Sequence, residues 1–469
     1  VELDAGPDVS LDGTAFWLAF VSDRGGAMTM KACVIGLGKL GSPLAACLAA
    51  KGLSVVGVDN DPRKIDAINH GKPPVNEPGL AELLGQTQGR LTALSDVEQA
   101  IAQTDITFIV VSTPSDPAGG FSLRYVEPVC QAIGRALAKK TSYHLVCLTS
   151  TVMPGTTGGP VREMLEKASS KRMGPDFGLC YSPEFIALGS VIRDFLNPDM
   201  LLIGEGDARS GDMLAALYAQ VCENKPAVAR MAFVNAEVTK LAVNTYVTTK
   251  ISYANMLARI CERLPGANVD VITSALGLDT RIGPKYLKGA VSYGGPCFPR
   301  DNLALAQLAQ QLGVPPDLAQ TVDRFNRGQI SWLADLVQHR TQNTAGILGL
   351  TYKAGTDVVE EAAGFLLAKE LAARGVKVVA FDPAYGKRSA AIIHENLRFA
   401  ANACECIEAS DVVVLATSWP EFDSIPREQW TNHRNHQPRT VIDCWRTLKF
   451  LHDEPGVHYL GLGLGEGFV

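Results

Sequence analysis

The sequence predicts an α/β protein: two Rossmann-like doubly wound domains joined by a long central helix and a helical middle domain. Three observations carry this expectation. Residues 31–59 alternate a buried strand, a glycine-rich turn, an apolar helix and a second strand, which is a βαβ unit. Residues 235–264 run without glycine or proline until Pro265 and Gly266, enough for one helix of about 45 Å at 1.5 Å per residue. From Gly346 onward the strand–helix–strand alternation starts again.

The elements follow in order. Residues 1–27 fit nothing downstream: acidic residues precede a short apolar patch, Ala15 to Val21, which does not make a signal peptide, so this stretch reads as a non-native or disordered leader. "KACVIGLG" is a strand running into a turn, Leu40 to Lys51 a helix, and "LSVVGVD" the next strand. Further strands are expected in "ITFIVVSTP" (106–114), "HLVCLTSTV" (144–152), "FGLCYSPE" (177–184) and "MLLIGE" (200–205). Such alternation implies a mostly parallel sheet covered on both faces. After Cys222 helix dominates through Gln329, interrupted by glycines around Cys297. Then "GILGLTY", a helix over Gly364 to Arg374, "VKVVAFDP", "DVVVLATSW" and "TVIDCW" build the last domain. The expected boundaries are 28–222 for a dinucleotide-binding domain, 223–335 for a central helical dimerisation domain, and 336–469 for a second Rossmann-like domain.

Composition narrows the function classes. With 469 residues and 46% hydrophobic content the chain can bury two or three cores. Its 43 basic and 49 acidic residues, net −6, leave no electrostatic footprint for nucleic acid or an anionic membrane. No apolar run approaches the ~20 residues of a membrane span. Eleven cysteines, an odd number without regular spacing, read as reduced thiols rather than a disulfide framework. Cys404 and Cys406 lack the second ligand pair of a zinc site, so no metal is expected. These points together predict a soluble, cytoplasmic protein.

Gly36-Leu37-Gly38-Lys39-Leu40-Gly41 lies between strand and helix, and Asp59 ends the next strand. Gly36 permits the tight turn, Gly38 lets backbone approach a pyrophosphate, and Gly41 lets the helix pack closely, with its N-terminus facing the anion. Asp59 would bond the adenosine ribose hydroxyls and repel a 2′-phosphate, favouring NAD over NADP, while Arg63 close behind pulls the other way. An ordinary glycine turn is the plainer alternative, and the complete constellation argues against it.

Most cysteines of a soluble protein are small core residues. Cys297 stands apart because "SYGGPCFPRD" places it in a glycine-opened turn with Arg300 and Asp301 just behind, a setting that can favour a thiolate. Lys240 and Asn244, four apart on the long helix, share one face and could hold a substrate hydroxyl and an oxyanion; a solvated helix face is the alternative. Thr151 and Glu184 fall at the ends of parallel strands, where ligands of such folds bind. A helix cap or surface carboxylate is the plainer reading of Glu184.

Taken with "STVMPGTT", "SPEF", "AEVTKLAVNTYVTTKISYAN", "DTRIGPKYL", "GGPCFPRD", "GLTYKAGTD" and "IDCWRTL", the chain resembles the UDP-glucose 6-dehydrogenase and GDP-mannose 6-dehydrogenase family over about residues 30 to 450. The resemblance implies oxidation of a nucleotide-sugar C6 alcohol to a carboxylate with two NAD and one water, and a homodimer. In it Cys297 matches the nucleophile, Lys240 the residue that polarises the C6 oxygen, and Asn244 its neighbour. Asp301 matches an acid–base carboxylate, Thr151 a residue holding the catalytic water, and Glu184 the base for thioester hydrolysis. Thr113 and Arg300 join Thr151 on the cofactor side. Arg281, reaching a partner subunit's site, is expected at the substrate with Tyr286, Gly294, Lys353 and Arg446, the last two in a C-terminal nucleotide pocket.

Several positions depart from the family pattern: Leu188 stands where a second glutamate is frequent, Pro296 for serine, Arg300 for lysine, Glu360 for arginine, and Ala362-Ala363 for Ser-Pro. "CFPRD" favours UDP-glucose as substrate, with GDP-mannose or a UDP-N-acetylhexosamine as alternatives. Two rivals remain at this level. A single-step hydroxyacid-type dehydrogenase would need neither Cys297 nor the last domain, and a catalytically silent nucleotide-sugar binding protein would tolerate Leu188 and Glu360.

Overall fold

The computed structural model describes residues 30–341, 343–385, 394–431 and 438–465. The leader expected over 1–27 lies outside them. Backbone contacts divide the chain into two compact units, Val1–Leu241 and Ala242–Val469. The division falls inside the long helix, which runs Phe233–Cys261 rather than 235–264. Helix Asp317–Gln338 shares one core with helix Ala363–Ala373, through Ile330, Leu333, Ala334 and Val337 against Leu367, Ala368 and Leu371.

In the first unit the described strands are β1 (Lys31–Ile35), β2 (Ser54–Val58), β3 (Leu91–Leu94), β4 (Ile106–Ile109), β5 (Leu145–Leu148), β6 (Gly178–Tyr181), β7 (Met200–Glu205) and β8 (Ala227–Met231). They form one sheet in the order β3-β2-β1-β4-β5-β6-β7-β8, parallel except where β6 meets β7. Both faces are covered: Ala32 and Val34 face one core, Cys33 and Ile35 the other. This explains why β1 reads as an uninterrupted apolar run. β4 and β5 stop short of the expected Pro114 and Val152. The residues beyond leave the ladder to form loops, where the Thr113 hydroxyl donates to the Thr151 carbonyl at 2.6 Å. β3 and β8 were not anticipated; each is partly exposed at a sheet edge, so its apolar signal is weak.

The second unit carries β9 (Thr344–Leu348), β10 (Lys377–Phe381), β11 (Leu397–Phe399), β12 (Val412–Leu415), β13 (Arg439–Asp443) and β14 (Val457–Gly461). Their order is β11-β10-β9-β12-β13-β14, with every pairing parallel. The two units repeat one device at the start of their sheets. Gly36 (φ +100°) and Gly349 (φ +91°) both follow the first strand. Asp59 accepts the Leu37 N–H at 2.7 Å, and Asp382 accepts the Leu350 N–H at 2.7 Å. A side chain at Gly41 would collide with the Gly36 carbonyl, and one at Gly364 with that of Gly349. Among the described residues no helix is long and apolar enough to cross a membrane.

Candidate active site

The glycine-rich turn is built as its spacing requires. A Cβ at Gly36 would run into the Val110 carbonyl, besides needing its positive φ, and one at Gly41 would overlap the Gly36 oxygen. A Cβ at Gly38 would meet nothing within 4 Å, so the backbone there is open to a ligand. Helix Gly41–Ala50 starts at this point and has no side-chain cap. Its N-terminal N–H groups and positive dipole end therefore suit a pyrophosphate. The chain's residues thus fit NAD. Asp59 is buried, and its two oxygens accept Leu37 N, Asp61 N at 2.9 Å and the Lys64 ammonium at 3.0 Å. Arg63, which raised the question of a 2′-phosphate, is held by Asp61 through Nε at 3.0 Å and Nη2 at 2.8 Å.

Further along the same unit, the loop carrying Thr151 is tied by a residue that sequence reasoning missed. Glu237 on the long helix is fully buried, and its carboxylate accepts Gly155 N at 2.6 Å and Thr157 N at 2.7 Å. Burial pushes this carboxyl up, and the bonds from Thr157 and Gly155 oppose that shift. It was visible as the acid in "AEVTK", but its partners lie some eighty positions earlier in the chain. One helical turn on, Lys240 is buried and donates to the Glu184 carbonyl at 2.6 Å, with its ammonium 4.4 Å from the centre of the Phe185 ring. Glu184 as a residue is half-buried, yet its carboxyl end is withdrawn from water among Leu40, Leu44, Val110 and Phe195. Desolvation raises its pKa to about 7, with the Lys240 charge pulling the other way. A carboxyl poised there can give or take a proton near neutrality. The loop beyond it is held by Glu77, which accepts Gly189 N at 2.9 Å and Val191 N at 2.7 Å, on either side of Ser190 and just after Leu188.

In the second unit Cys297 is the exposed one of the eleven thiols; eight are buried and Cys222 and Cys404 half-buried, with none in a disulfide. Burial pushes the Cys33, Cys130 and Cys406 thiols up to about 12, which leaves them inert at neutral pH. Cys297 immediately precedes helix Phe298–Gln311, whose second position is Pro299. That helix terminus carries partial positive charge and favours an anionic sulfur. Asp301, in the first turn, is fully buried and accepts Asn244 Nδ2 at 2.6 Å and both Nε and Nη2 of Arg300 at 3.1 Å. The glycines before the cysteine are there for close approach. A Cβ at Gly294 would strike the Glu361 carbonyl, while one at Gly295 (φ +83°) would sit 3.0 Å from the Tyr352 ring. Gly295 N also donates to the Glu360 carbonyl at 2.9 Å, so position 360 supports the turn through its backbone, whatever its side chain.

Of the remaining expected substrate residues, Lys353 and Tyr286 lie by the cysteine turn. Lys353 follows Tyr352, its ammonium 6.0 Å from that ring, and so belongs with the cysteine turn. Arg281 is exposed and paired with Asp279, Nη2 to Oδ2 at 2.6 Å. Tyr286, at φ +64°, is half exposed, and its ring packs edge-on to Phe298. Arg446 was expected in the C-terminal nucleotide pocket. It is buried at φ +58°, and all five of its N–H donors are taken by Asp270 (2.8 and 2.9 Å) and the carbonyls of Gly289, Leu462 and Cys444. The guanidinium ties Asp270 to the backbone of Gly289, Leu462 and Cys444. Its partners could not be read from "IDCWRTL", since Asp270 lies 176 residues away.

Comparison with known proteins matches this arrangement along the chain. Residues 30–222 match the NAD binding domain of the UDP-glucose/GDP-mannose dehydrogenase family, 234–328 its central domain and 346–450 its UDP binding domain. The UDP-glucose 6-dehydrogenase AglM of Haloferax volcanii is 35% identical over 412 residues, 85% of this chain and 94% of its own length. The GDP-mannose 6-dehydrogenase of Azotobacter vinelandii is 34% identical over 413 residues, again 85% and 94%. The structure of a UDP-glucose dehydrogenase from Pyrobaculum islandicum superposes with a TM-score of 0.85 at 32% identity, covering 94% of this chain and 99% of that one. An NAD-type turn, a parallel sheet at each end and matches to all three domains lead to one conclusion: the chain belongs to the UDP-glucose/GDP-mannose dehydrogenase family, whose members are NAD-dependent nucleotide-sugar dehydrogenases.

Proposed function

We propose that this protein oxidises the C6 alcohol of a nucleotide sugar, UDP-glucose, to the carboxylate through a covalent intermediate on Cys297. The observation that carries this reading is the exposed thiol at a helix start in a glycine-opened turn, beside a buried Asp301. When bound, NAD would supply the hydride acceptor, one molecule for each of the two oxidation steps. Lys240 holds the C6 oxygen while the alcohol becomes an aldehyde. The Cys297 thiolate then adds to the aldehyde carbon, and Asn244 and Lys240 stabilise the oxyanion of the thiohemiacetal. Loss of the remaining C6 hydride leaves a thioester, and water activated by Glu184 opens it, regenerating the thiol. Overall, one alcohol, one water and two NAD give one carboxylate, two NADH and three protons.

UDP-glucose is supported by the match of residues 346–450 to a UDP binding domain and by the likeness to AglM and the Pyrobaculum structure. GDP-mannose is the second reading, supported by relatives of equal identity. The working unit in this proposal is a homodimer built on the long helix, with Arg281 serving the neighbouring chain. Tyr246, Tyr253, Met256, Ile260 and Leu264 leave an exposed apolar stripe along and just past that helix, at spacings of three, four and seven residues. The test is an NADH assay with UDP- and GDP-sugars, with sedimentation of the same sample. Two NADH per uronate from UDP-glucose, on a two-chain particle, is the expected result; one NADH per sugar, or no turnover with any of them, sinks the reading.

The Glu184 carboxyl sets a pH dependence. Because desolvation raises it to about 7, its basic form appears only as pH rises through about 7, and thioester opening should accelerate over that interval. Glu184→Gln is expected to release two NADH per chain in a burst, then turn over slowly without that rise. A steady-state profile unchanged in the variant would remove Glu184 from the hydrolytic step.

A further inference from the structure

Residues 287–297, leading to the thiol, form neither helix nor strand, yet Gly289 to Tyr293 are all buried. Buried backbone N–H and C=O groups need partners, and here no neighbouring strand supplies them. Two asparagines from two different helices do so. Asn255, on helix Phe233–Cys261, accepts Ala290 N at 2.8 Å and donates to the Val291 carbonyl at 2.8 Å. Asn326, on helix Asp317–Gln338, accepts Tyr293 N at 2.9 Å and donates back to the Tyr293 carbonyl at 3.0 Å. Both are nearly inaccessible, 1% and 6% exposed, and each amide acts on the loop as the edge of a strand would. Asn302 completes the hold from inside the following helix, donating to the Tyr293 hydroxyl at 3.0 Å and the Phe298 carbonyl at 3.2 Å.

We propose that Asn255 and Asn326 are positioning residues that keep Cys297 at the start of helix Phe298–Gln311. This rests on the reading of Cys297 as the nucleophile. Only a primary amide offers a donor and an acceptor side by side in a side chain this short: aspartate would offer acceptors alone, and leucine neither. Without the amide, a buried N–H and C=O are left unpaired, and the loop has to move to find water or other partners. A thiol moved by about 1 Å from its attack position is expected to slow its step by about 100-fold. The first hydride transfer does not use the sulfur and should be spared. A merely structural asparagine would slow both steps together.

The experiment uses the full chain carrying Asn326→Ala, with Asn326→Asp and Asn255→Ala beside it. Cys297 is alkylated with iodoacetamide across a pH series, without cofactor or sugar, and the product is located by peptide mass. First and second NADH formation are followed in a single turnover, and Tm is recorded. The expected result is an alkylation profile displaced to higher pH, as the sulfur leaves the helix start, and a second step slowed by about 10- to 100-fold at an unchanged first step. A wild-type alkylation profile, or equal slowing of both steps, overturns the proposal. If Asn326→Ala does not fold, Asn326→Asp, which keeps the acceptor for Tyr293 N, and Asn255→Ala carry the same comparison. Failure of the underlying reading shows elsewhere: Cys297→Ala would still yield two NADH, while alkylation judges the asparagines without any turnover.

Discussion

Cys297→Ala is expected to bind nucleotide sugar and NAD as the parent does and to lose steady-state acid production by about 10³-fold or more. An aldehyde has no second hydride to give until a nucleophile adds to it, and none of the other ten thiols is exposed to take the part. Burial has raised the thiols of Cys33, Cys130 and Cys406 far above neutrality, so rescue by a neighbouring cysteine is not expected. Cys297→Ser should stall differently. A serine ester hydrolyses less readily than a thioester because the alkoxide is the poorer leaving group, so intact-mass measurement of that variant with UDP-glucose and NAD should show an acyl adduct. Wild-type production of two NADH by Cys297→Ala would make the cysteine structural and the covalent mechanism wrong.

The second large effect separates two glycines of the cofactor turn. In Gly41→Ala the new methyl would overlap the Gly36 carbonyl, so turn and helix must move apart. Overpacking of this kind costs about 1–3 kcal/mol, which at roughly 2–4 °C per kcal/mol lowers Tm by several degrees. NAD affinity should fall with it. In Gly38→Ala the methyl meets nothing within 4 Å in the protein itself, and Tm should hold. That methyl instead occupies the approach of the pyrophosphate, so the NAD Kd is expected to rise by about tenfold or more. Calorimetry and an NAD titration on both variants decide the matter. A Gly38→Ala protein with parental affinity would mean that the pyrophosphate does not lie against this turn.

What could be read from the chain alone was local. Gly36 to Asp59 carries turn, helix start and acceptor carboxylate within one βαβ unit, so the cofactor turn was legible before any coordinates. The glycine pair before Cys297 likewise marked an opened turn, while the helix that starts just after it was shown by the structure. Uninterrupted apolar runs announced the central strands of both sheets, because a strand buried on both faces has no polar side to confuse its signal. The edge strands Leu91–Leu94, Ala227–Met231, Leu397–Phe399 and Val457–Gly461 were missed, each being partly exposed at the end of its sheet.

Tertiary structure alone decided which polar residues serve the site and which serve the frame. Glu237 reaches back about eighty residues to hold the Thr151 loop, Asn255 and Asn326 hold the cysteine segment from over thirty residues away, and Arg446 pairs with Asp270, 176 residues before it. Sequence spacing carries information where a turn or one face of a helix sets the geometry over a few residues. A buried carboxylate, amide or guanidinium takes its role from whichever backbone groups the fold leaves unpaired beside it, and those come from anywhere in the chain.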